Sequence, residues 1–291
     1  MNSFLNSIKN YFSLVKFSHT VFAMPFALIG FFLAVSKDEY NFSLRLLLLI
    51  VLCMIFARNA AMGFNRLVDK RFDALNPRTN NREIPSGIIS TQAAAVFIAA
   101  NALFFIITSG FINRLTLMLS PVALLVILSY SLMKRITVLC HFILGLGLSL
   151  APIGAYISVT GNFDIIPLIY SMTVLTWVGG FDIIYALQDD EFDRINNLHS
   201  IPSSSGRRKA LSVSVVVHII TFLSVIGAGL KEGAGYLYWI GAAIFTLLLI
   251  YQHRIVKPDD LSRVTMAFGT TNGIASILFS IFVMLDLFLG S

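Results

Sequence analysis

Long runs of apolar residues recur along nearly the whole chain. Of the 291 residues, 57% are hydrophobic and only 12% are charged, whereas soluble domains usually carry about 25% charged residues. A helix needs about 20 mostly apolar residues to cross a bilayer, and the runs predict nine spans. Their approximate ranges are 18–36, 43–64, 91–112, 115–132, 138–158, 165–187, 210–229, 234–252 and 266–289. We therefore expect an all-α membrane protein embedded in the lipid bilayer.

The basic residues are distributed unevenly between the two ends of these spans. If the N-terminus is cytoplasmic, 17 of the 21 lysines and arginines fall on cytoplasmic segments. Loops rich in Lys and Arg tend to stay in the cytoplasm, so this bias predicts a cytoplasmic N-terminus and an odd number of spans. It also explains the net charge of +6, and we expect no nucleic-acid partner.

The two longest polar loops follow the second and the sixth predicted spans, and both are rich in Asp and Arg. Because four spans separate them, both loops should lie on one side of the membrane and face one cavity. This arrangement predicts two parallel repeats of four helices, followed by a ninth helix, in a single domain over residues 1–291. The sequence indicates no obligate protein partner.

Oxygen-bearing side chains follow the second span at helical intervals. Asn65, Asp69 and Asp73 are spaced i, i+4 and i+8. At about 100° per residue, this spacing places them on one side of a helix. A carboxylate at membrane depth is costly and indicates a functional site. Several carboxylates at one depth repel one another unless a cation lies between them.

A second stripe of polar side chains follows the sixth span. Asp182, Tyr185, Asp189 and Asp193 are spaced i, i+3, i+7 and i+11. Oxygen ligands suit a hard ion such as Mg²⁺, which proteins usually hold with a few carboxylates and the phosphates of a substrate. The two stripes together therefore predict a magnesium site.

Basic side chains on the same predicted side of the membrane complete this pattern. They are Arg66, Lys70, Arg78, Arg82, Lys134 and Arg135. A metal ion acting with Arg and Lys is a common means of stabilising a leaving phosphate group. An isoprenoid diphosphate also explains the membrane, because its tail dissolves in lipid while its head stays at the interface. We therefore expect a polyprenyl diphosphate as a substrate.

Together these motifs resemble the UbiA family of intramembrane aromatic prenyltransferases. The matching segments are 65–73, 76–79, 82–87, 130–135, 182–193 and Asn272. The resemblance covers nearly the whole chain and implies about nine transmembrane helices around a central cavity. It also implies that Mg²⁺ joins the aspartates to the diphosphate, and that a ring carbon of an aromatic acid attacks an allylic cation.

The resemblance further implies a role for individual residues. The implied metal ligands are Asn65, Asp69, Asp73, Asp189, Asp193 and, as a further member, Asp182. The implied diphosphate-binding residues are Asn65, Arg66, Arg78, Arg82, Lys134 and Arg135. The implied catalytic residues are Asp69, Asp73, Asp189, Asp193 and Tyr185, of which Tyr185 stabilises the cation or orients a carboxylate.

The resemblance leaves two aromatic acceptors open. The segment 185–189 is similar to the 4-hydroxybenzoate polyprenyltransferases of quinone biosynthesis, and 4-hydroxybenzoate is our first expectation. The first span has His19-Thr20 where ubiquinone-type enzymes usually have an Arg-x-x-x-Pro pattern. With 197–202, this departure resembles a bacterial branch that prenylates 1,4-dihydroxy-6-naphthoate for menaquinone. Both acceptors are carboxylates, and His19 and Arg58 are the candidates to bind them. The implied location is a bacterial plasma membrane, with the site facing the cytoplasm.

Two other classes of membrane protein also use carboxylates within the bilayer. An ion or proton transporter would place them near the midplane in broken helices, whereas here they cluster at one face beside Arg and Lys. Transferases of the CDP-alcohol type also use aspartates and Mg²⁺, but their Gly-rich spacing does not occur in this sequence.

Overall fold

The computed structural model describes residues 10–15 and 22–289, and helices dominate both segments. In chain order the α-helices after residue 22 are α1 (Met24–Val35), α2 (Leu44–Val68), α3 (Lys70–Leu75), α4 (Thr91–Gly110), α5 (Arg114–Met133), α6 (Cys140–Thr160), α7 (Ile165–Ala186), α8 (Asp190–Ile195), α9 (Ile201–Ser205), α10 (Arg207–Glu232), α11 (Tyr236–Ile255) and α12 (Asn272–Leu289). A 3₁₀ turn (Leu187–Asp189) joins α7 to α8, and a π-helical turn (Met266–Thr271) precedes α12. No β-strand occurs in the described segments, so the all-α prediction is confirmed.

Eight helices of the described segments are long and apolar enough to cross a membrane. They correspond to the second to ninth predicted spans, and the chain is a multi-pass membrane protein. α1 corresponds to the first predicted span but has only 12 residues, and residues 16–21 lie outside the described segments. Three expectations stay predictions. They are the count of nine spans, the cytoplasmic N-terminus and the two parallel repeats of four helices.

Some helices extend beyond the predicted spans. α2 continues to Val68, so Asn65 is part of this helix rather than of the loop that follows it. α10 extends from Arg207 to Glu232, whereas the apolar run predicted 210–229. Charged side chains at helix ends can reach water while their backbone stays helical, so apolar runs underestimate helix length.

α7 packs most extensively against α6 and α10. Its Trp177 is fully buried, with ring centroids 5.4 Å from Phe26 of α1 and 5.8 Å from Phe245 of α11. α6 approaches α7 closely at Gly145, where an added Cβ would lie 2.3 Å from the Leu175 carbonyl oxygen. Small residues permit such close approach between membrane helices. This packing fixes the helix that leads into the second aspartate motif.

Candidate active site

The first aspartate motif crosses the junction between α2 and α3. α2 ends at Val68, and Asp69 (φ −85°, ψ 5°) connects the two helices. Helical hydrogen bonds continue across the junction, from Asp69 N to Asn65 O (2.9 Å) and from Asp73 N to Asp69 O (2.8 Å). The predicted stripe therefore survives the interruption, and Asn65, Asp69 and Asp73 line one cavity.

The second motif is interrupted in a similar way. α7 ends at Ala186, Asp189 closes the 3₁₀ turn, and Asp193 lies on α8. Asp182, Tyr185, Asp189 and Asp193 nevertheless line the same cavity as the first motif. The structure thus brings together two motifs that are far apart in the sequence.

This cavity has a volume of about 260 Å³ and two chemically different regions. The side chains of both motifs and of the loop after α3 form a polar region. Apolar side chains form the other region, namely Phe22, Met62, Leu144, Leu148, Val178, Phe181 and Phe268. Leu148 and Val178 lie well inside the long helices α6 and α7, so the cavity extends from the motifs into the bundle. Such a shape suits a ligand with a polar head and an apolar tail.

Arginines neutralise the carboxylates of the first motif. Arg135 Nη2 donates to Asp69 Oδ1 at 2.9 Å, and Arg82 Nη1 donates to Asp73 Oδ1 at 2.7 Å. Asn65 Nδ2 donates to the other oxygen of Asp69 at 3.1 Å. Arg135 contributes through this contact although it does not line the cavity itself. The predicted basic residues therefore lie beside the predicted acidic ones.

The second motif has its own cationic partners. Lys134 Nζ lies 3.1 Å from Asp193 Oδ2. Arg78 Nε donates to Asp189 Oδ1 at 3.0 Å, and Arg78 Nη2 contacts Asp189 Oδ2. Arg78 Nη1 also donates to the hydroxyl of Tyr185 at 3.1 Å. The loop after α3 thereby joins the first motif to the second.

Arg66 and one oxygen of Asp73 lack such a partner. Arg66 is only 4% exposed, its Nε has no hydrogen-bond partner, and no described carboxylate lies within salt-bridge distance of it. Asp73 Oδ2 is likewise buried without a hydrogen bond. A buried charged group without a partner is costly. Both residues line the cavity, which indicates a ligand that presents an anion to Arg66 and a cation to Asp73.

Burial and neighbouring charges set the protonation of the groups next to the spans. Burial, together with the Asp73 carboxylate, raises the pKa of the Asp69 carboxyl. Burial lowers the pKa of Lys134, but the nearby carboxylates of Asp193 and Asp189 outweigh it and raise the pKa to about 12. Lys134 is therefore charged at neutral pH, whereas an added cation would stabilise the ionised form of Asp69.

Asp182 has a different partner from the other carboxylates. Its Oδ2 lies 2.7 Å from His141 Nδ1, and His141 Nε2 lies 3.2 Å from the backbone N–H of Ile201. Because Nε2 accepts this hydrogen bond, Nδ1 carries a proton and donates it to Asp182. The sequence contains no signal for this contact, since His141 belongs to a different helix, 41 positions before Asp182.

Only one of the two predicted acceptor-binding residues can be placed. Arg58 lines the cavity from α2, about two turns before Asn65. His19 lies outside the described residues. The binding of an acceptor carboxylate by either residue stays a prediction.

The donor atoms around the cavity suit a hard divalent cation. The five aspartates and Asn65 offer only oxygen, which Mg²⁺ prefers. In the described part of the chain, no three His, Cys, Asp or Glu side chains lie close enough to hold an ion together. Arg, Lys or His engages each of the five aspartates. Asp73 Oδ2 lines up with no hydrogen-bond donor in the described structure, so this oxygen is not already engaged by the protein.

Comparison with known proteins places the chain among membrane prenyltransferases. The model of the UbiA prenyltransferase family matches residues 23–282. Similar proteins include the 4-hydroxybenzoate octaprenyltransferases of Nitrosospira multiformis, 29% identical over 237 residues, and Aliivibrio fischeri, 28% identical over 238 residues. Each alignment covers 81% of this chain and 81% or 82% of the relative.

Solved structures share the fold. The apo structure of a UbiA homolog from Aeropyrum pernix K1 has a TM-score of 0.83 and 30% sequence identity, and the match covers 92% of this chain and 98% of that chain. A UbiA homolog from Archaeoglobus fulgidus bound to DMAPP and Mg²⁺ has a TM-score of 0.73 and 20% identity, over 96% and 99% of the two chains. The predicted helical fold around a cavity is confirmed.

Proposed function

Because the chain belongs to the UbiA prenyltransferase family and is a prenyltransferase, we propose that it transfers a polyprenyl group from a polyprenyl diphosphate to a ring carbon of an aromatic acid. The proposal combines a diphosphate at the polar region of the cavity with a prenyl chain in the apolar region. The A. fulgidus homolog of the same fold binds DMAPP, which is a short prenyl diphosphate.

The observation that carries the proposal is the isolation of Arg66. Its guanidinium is buried at the cavity and lacks an ion pair within the described chain, and a phosphate oxygen is the kind of acceptor that its geometry fits. Arg78, Lys134, Arg82 and Arg135 lie in the same region, and we assign them the neutralisation of the rest of the diphosphate.

We propose Mg²⁺ as the metal, with Asn65, Asp69, Asp73, Asp189 and Asp193 as its ligands. When bound, the ion would neutralise negative charge on the diphosphate and help it to leave. The all-oxygen donor set supports this choice, and so does the Mg²⁺ bound to the A. fulgidus homolog. Asp182 borders this set, and its predicted role as a further ligand stays a prediction because His141 already engages one of its oxygens.

The transfer breaks one bond and forms another. The C–O bond of the prenyl diphosphate breaks, and both electrons leave with the diphosphate, which the basic side chains stabilise. A ring carbon of the acceptor then bonds to the allylic cation, and the ring loses a proton to restore its aromaticity. Arg78 holds the Tyr185 hydroxyl, and we propose that the Tyr185 ring thereby faces the carbon at which the bond breaks.

We propose 4-hydroxybenzoate as the acceptor, bound through its carboxylate by Arg58 and His19. The names of the relatives from N. multiformis and A. fischeri support this acceptor. Prenylation of 1,4-dihydroxy-6-naphthoate for menaquinone is the alternative, favoured by the His19-Thr20 pattern. We place the protein in a bacterial plasma membrane with the cavity facing the cytoplasm, because the bacterial relatives and the bias of basic residues agree.

A competition experiment tests both the reaction and the acceptor. Purified protein is given geranyl diphosphate, Mg²⁺ and equal amounts of 4-hydroxybenzoate and 1,4-dihydroxy-6-naphthoate, and the products are identified by mass. We expect geranylated 4-hydroxybenzoate to dominate. Dominance of the naphthoate product would change the acceptor and leave the reaction standing, whereas no prenylated product from either acid would contradict the reaction.

A matched set of variants tests the site. Asp69→Asn combined with Asp189→Asn removes carboxylates from both motifs and should abolish transfer. Asp190→Asn changes a neighbouring carboxylate that pairs with Arg207 and does not line the cavity, so we expect it to keep nearly full activity. Equal activity of the double variant and the control would contradict the proposed site.

A further inference from the structure

Four aromatic rings form one cluster on the wall of the cavity. The Phe268 ring centroid lies 4.2 Å from that of Tyr185 and 5.4 Å from those of Phe181 and Phe22. Phe22 and Phe181 also contact each other, at 5.6 Å. All four side chains line the cavity, and Phe268 is the ring that contacts each of the other three.

This aromatic cluster begins next to the polar region. The Tyr185 hydroxyl accepts a hydrogen bond from Arg78, which is paired with Asp189. If the diphosphate occupies the polar region, as proposed above, its attached carbon enters the cavity beside these rings. The face of an aromatic ring attracts a cation, and an apolar wall keeps water away from it.

Phe268 lies in a segment whose backbone has an unusual helical conformation. The residue lies in the π-helical turn Met266–Thr271, immediately before α12. π-Turns are rare and often occur at functional sites. Their backbone carbonyls depart from the regular α-helical pattern, so a side chain that binds them can hold the turn in one conformation.

Asn272 supplies that side chain. It is fully buried, and its Nδ2 donates to the carbonyl oxygens of Ala267 (3.0 Å) and Phe268 (3.2 Å). Its Oδ1 accepts a hydrogen bond from Trp177 Nε1 on α7 at 2.9 Å. Asn272 therefore ties the backbone of Phe268 to the same helix that carries Tyr185. In the sequence, Asn272 is identified only as a match to the family, and the resemblance implies no role for it in the reaction.

We propose that Phe268 stabilises the allylic cation and shields it from water, and that Asn272 is the positioning residue that holds Phe268 in place. This inference rests on the proposed prenyl transfer and adds to it a control over the fate of the cation. Once the C–O bond has broken, a ring carbon of the acceptor can capture the cation, with loss of the ring proton. Water can capture it instead, which yields a prenyl alcohol and a proton. The aromatic cluster favours the first outcome.

The test measures both products in one reaction. Purified full-length protein is given geranyl diphosphate, Mg²⁺ and 4-hydroxybenzoate, and geranylated acid and geraniol are quantified together. Phe268→Leu keeps an apolar side chain but removes the ring. We expect it to lower the rate of aromatic product about tenfold and to raise the ratio of geraniol to aromatic product at least about fivefold. Phe268→Tyr keeps the ring and should keep the ratio near that of the unmodified chain.

Asn272→Ala tests the positioning role. It leaves the Phe268 ring in the chain but removes the hydrogen bonds to the turn, and we expect the same shift in the ratio. If this variant does not fold, Phe268→Leu still decides the proposal. Phe279→Leu is the matched control, because Phe279 is fully buried in the core but does not line the cavity. Its loss should lower both products in proportion, with an unchanged ratio.

Two results would overturn the inference in distinguishable ways. If the unmodified chain makes geranylated acid but Phe268→Leu gives the same ratio as Phe279→Leu, the aromatic cluster has no role in the fate of the cation. The proposed function would then stand. If the unmodified chain consumes no geranyl diphosphate with Mg²⁺ and either aromatic acid, the proposed function fails and the inference fails with it.

Discussion

Arg66 is a buried arginine without a carboxylate partner, and burial of an unpaired charge is energetically unfavourable. Arg78, Arg82 and Lys134, which also line the cavity, and the nearby Arg135 each have a carboxylate partner in the described structure, and Arg66 has none. The neighbouring Arg71 has the same charge but is exposed and does not line the cavity. The two arginines lie on adjoining helices, and substituting each of them tests directly which one binds the ligand.

We expect Arg66→Gln to weaken the binding of prenyl diphosphate. A hydrogen bond to a charged group contributes about 1.5–3 kcal/mol, so the KM for geranyl diphosphate should rise roughly 10- to 100-fold. Arg71→Gln should leave this KM within about twofold, since its charge faces solvent. Steady-state kinetics on both purified variants provides the measurement, and a similar KM for the two would count against a ligand-binding role for Arg66.

Asp73 makes a second prediction at the level of a single side chain. One of its oxygens is held by Arg82 and the other is buried without a hydrogen bond. Asp73→Asn keeps the shape of the side chain but removes the negative charge that a metal ligand needs. The Mg²⁺ concentration for half-maximal activity should rise at least about tenfold. An unchanged Mg²⁺ dependence, measured by titration at saturating substrate, would exclude Asp73 from the metal site.

At the level of elements, the bundle depends on a few close contacts between helices. Apolar runs predict where a helix crosses the membrane, but they do not predict which neighbour it contacts. α6 and α7 meet at Gly145, where the absence of a side chain lets the two backbones approach. The same helix pair brings Leu144 and Asp182 to the cavity, so this contact supports the site as well as the fold.

Gly145→Ala should destabilise the protein. The added Cβ would lie 2.3 Å from the Leu175 carbonyl oxygen, and overpacking of this kind costs about 1–3 kcal/mol, which corresponds to a loss of roughly 3–10 °C in Tm. Gly154→Ala on the same helix is the control, because its Cβ would meet no atom within 4 Å, and alanine favours helices over glycine. Thermal unfolding in detergent should separate the two variants, and an equal Tm would show that the helices can move apart.

The interrupted motifs are also a property of elements. Spacing alone predicts each motif as one helical stripe, whereas the structure breaks the helix at Asp69 and again at Leu187–Asp189. Neither break contains a proline or glycine that would indicate it in the sequence. Contacts with arginines from other segments accompany both breaks, and such contacts can override a local helical preference.

For the whole molecule, the orientation in the membrane follows from charge bias and can be tested directly. Cys53 and Cys140 are buried, so a maleimide that does not cross membranes should label the unmodified chain only weakly. Lys231→Cys lies in a segment predicted to be outside and should react in intact cells. Ser262→Cys lies on the predicted cytoplasmic side and should react only after permeabilisation. The reverse pattern would invert the predicted topology.

The apolar spans, the spacing within each aspartate motif and the resemblance to one family follow from the amino-acid sequence, because they depend on the local order of side chains. Which groups meet depends on how the helices pack. Arg78 pairs with Asp189 across 111 positions, His141 meets Asp182, and Asn272 holds Phe268 beside Tyr185. In a bilayer both the lipid-facing and the interior faces of a helix are apolar. Hydrophobic periodicity therefore does not predict which helix faces pack together, and these contacts are evident only from the three-dimensional structure.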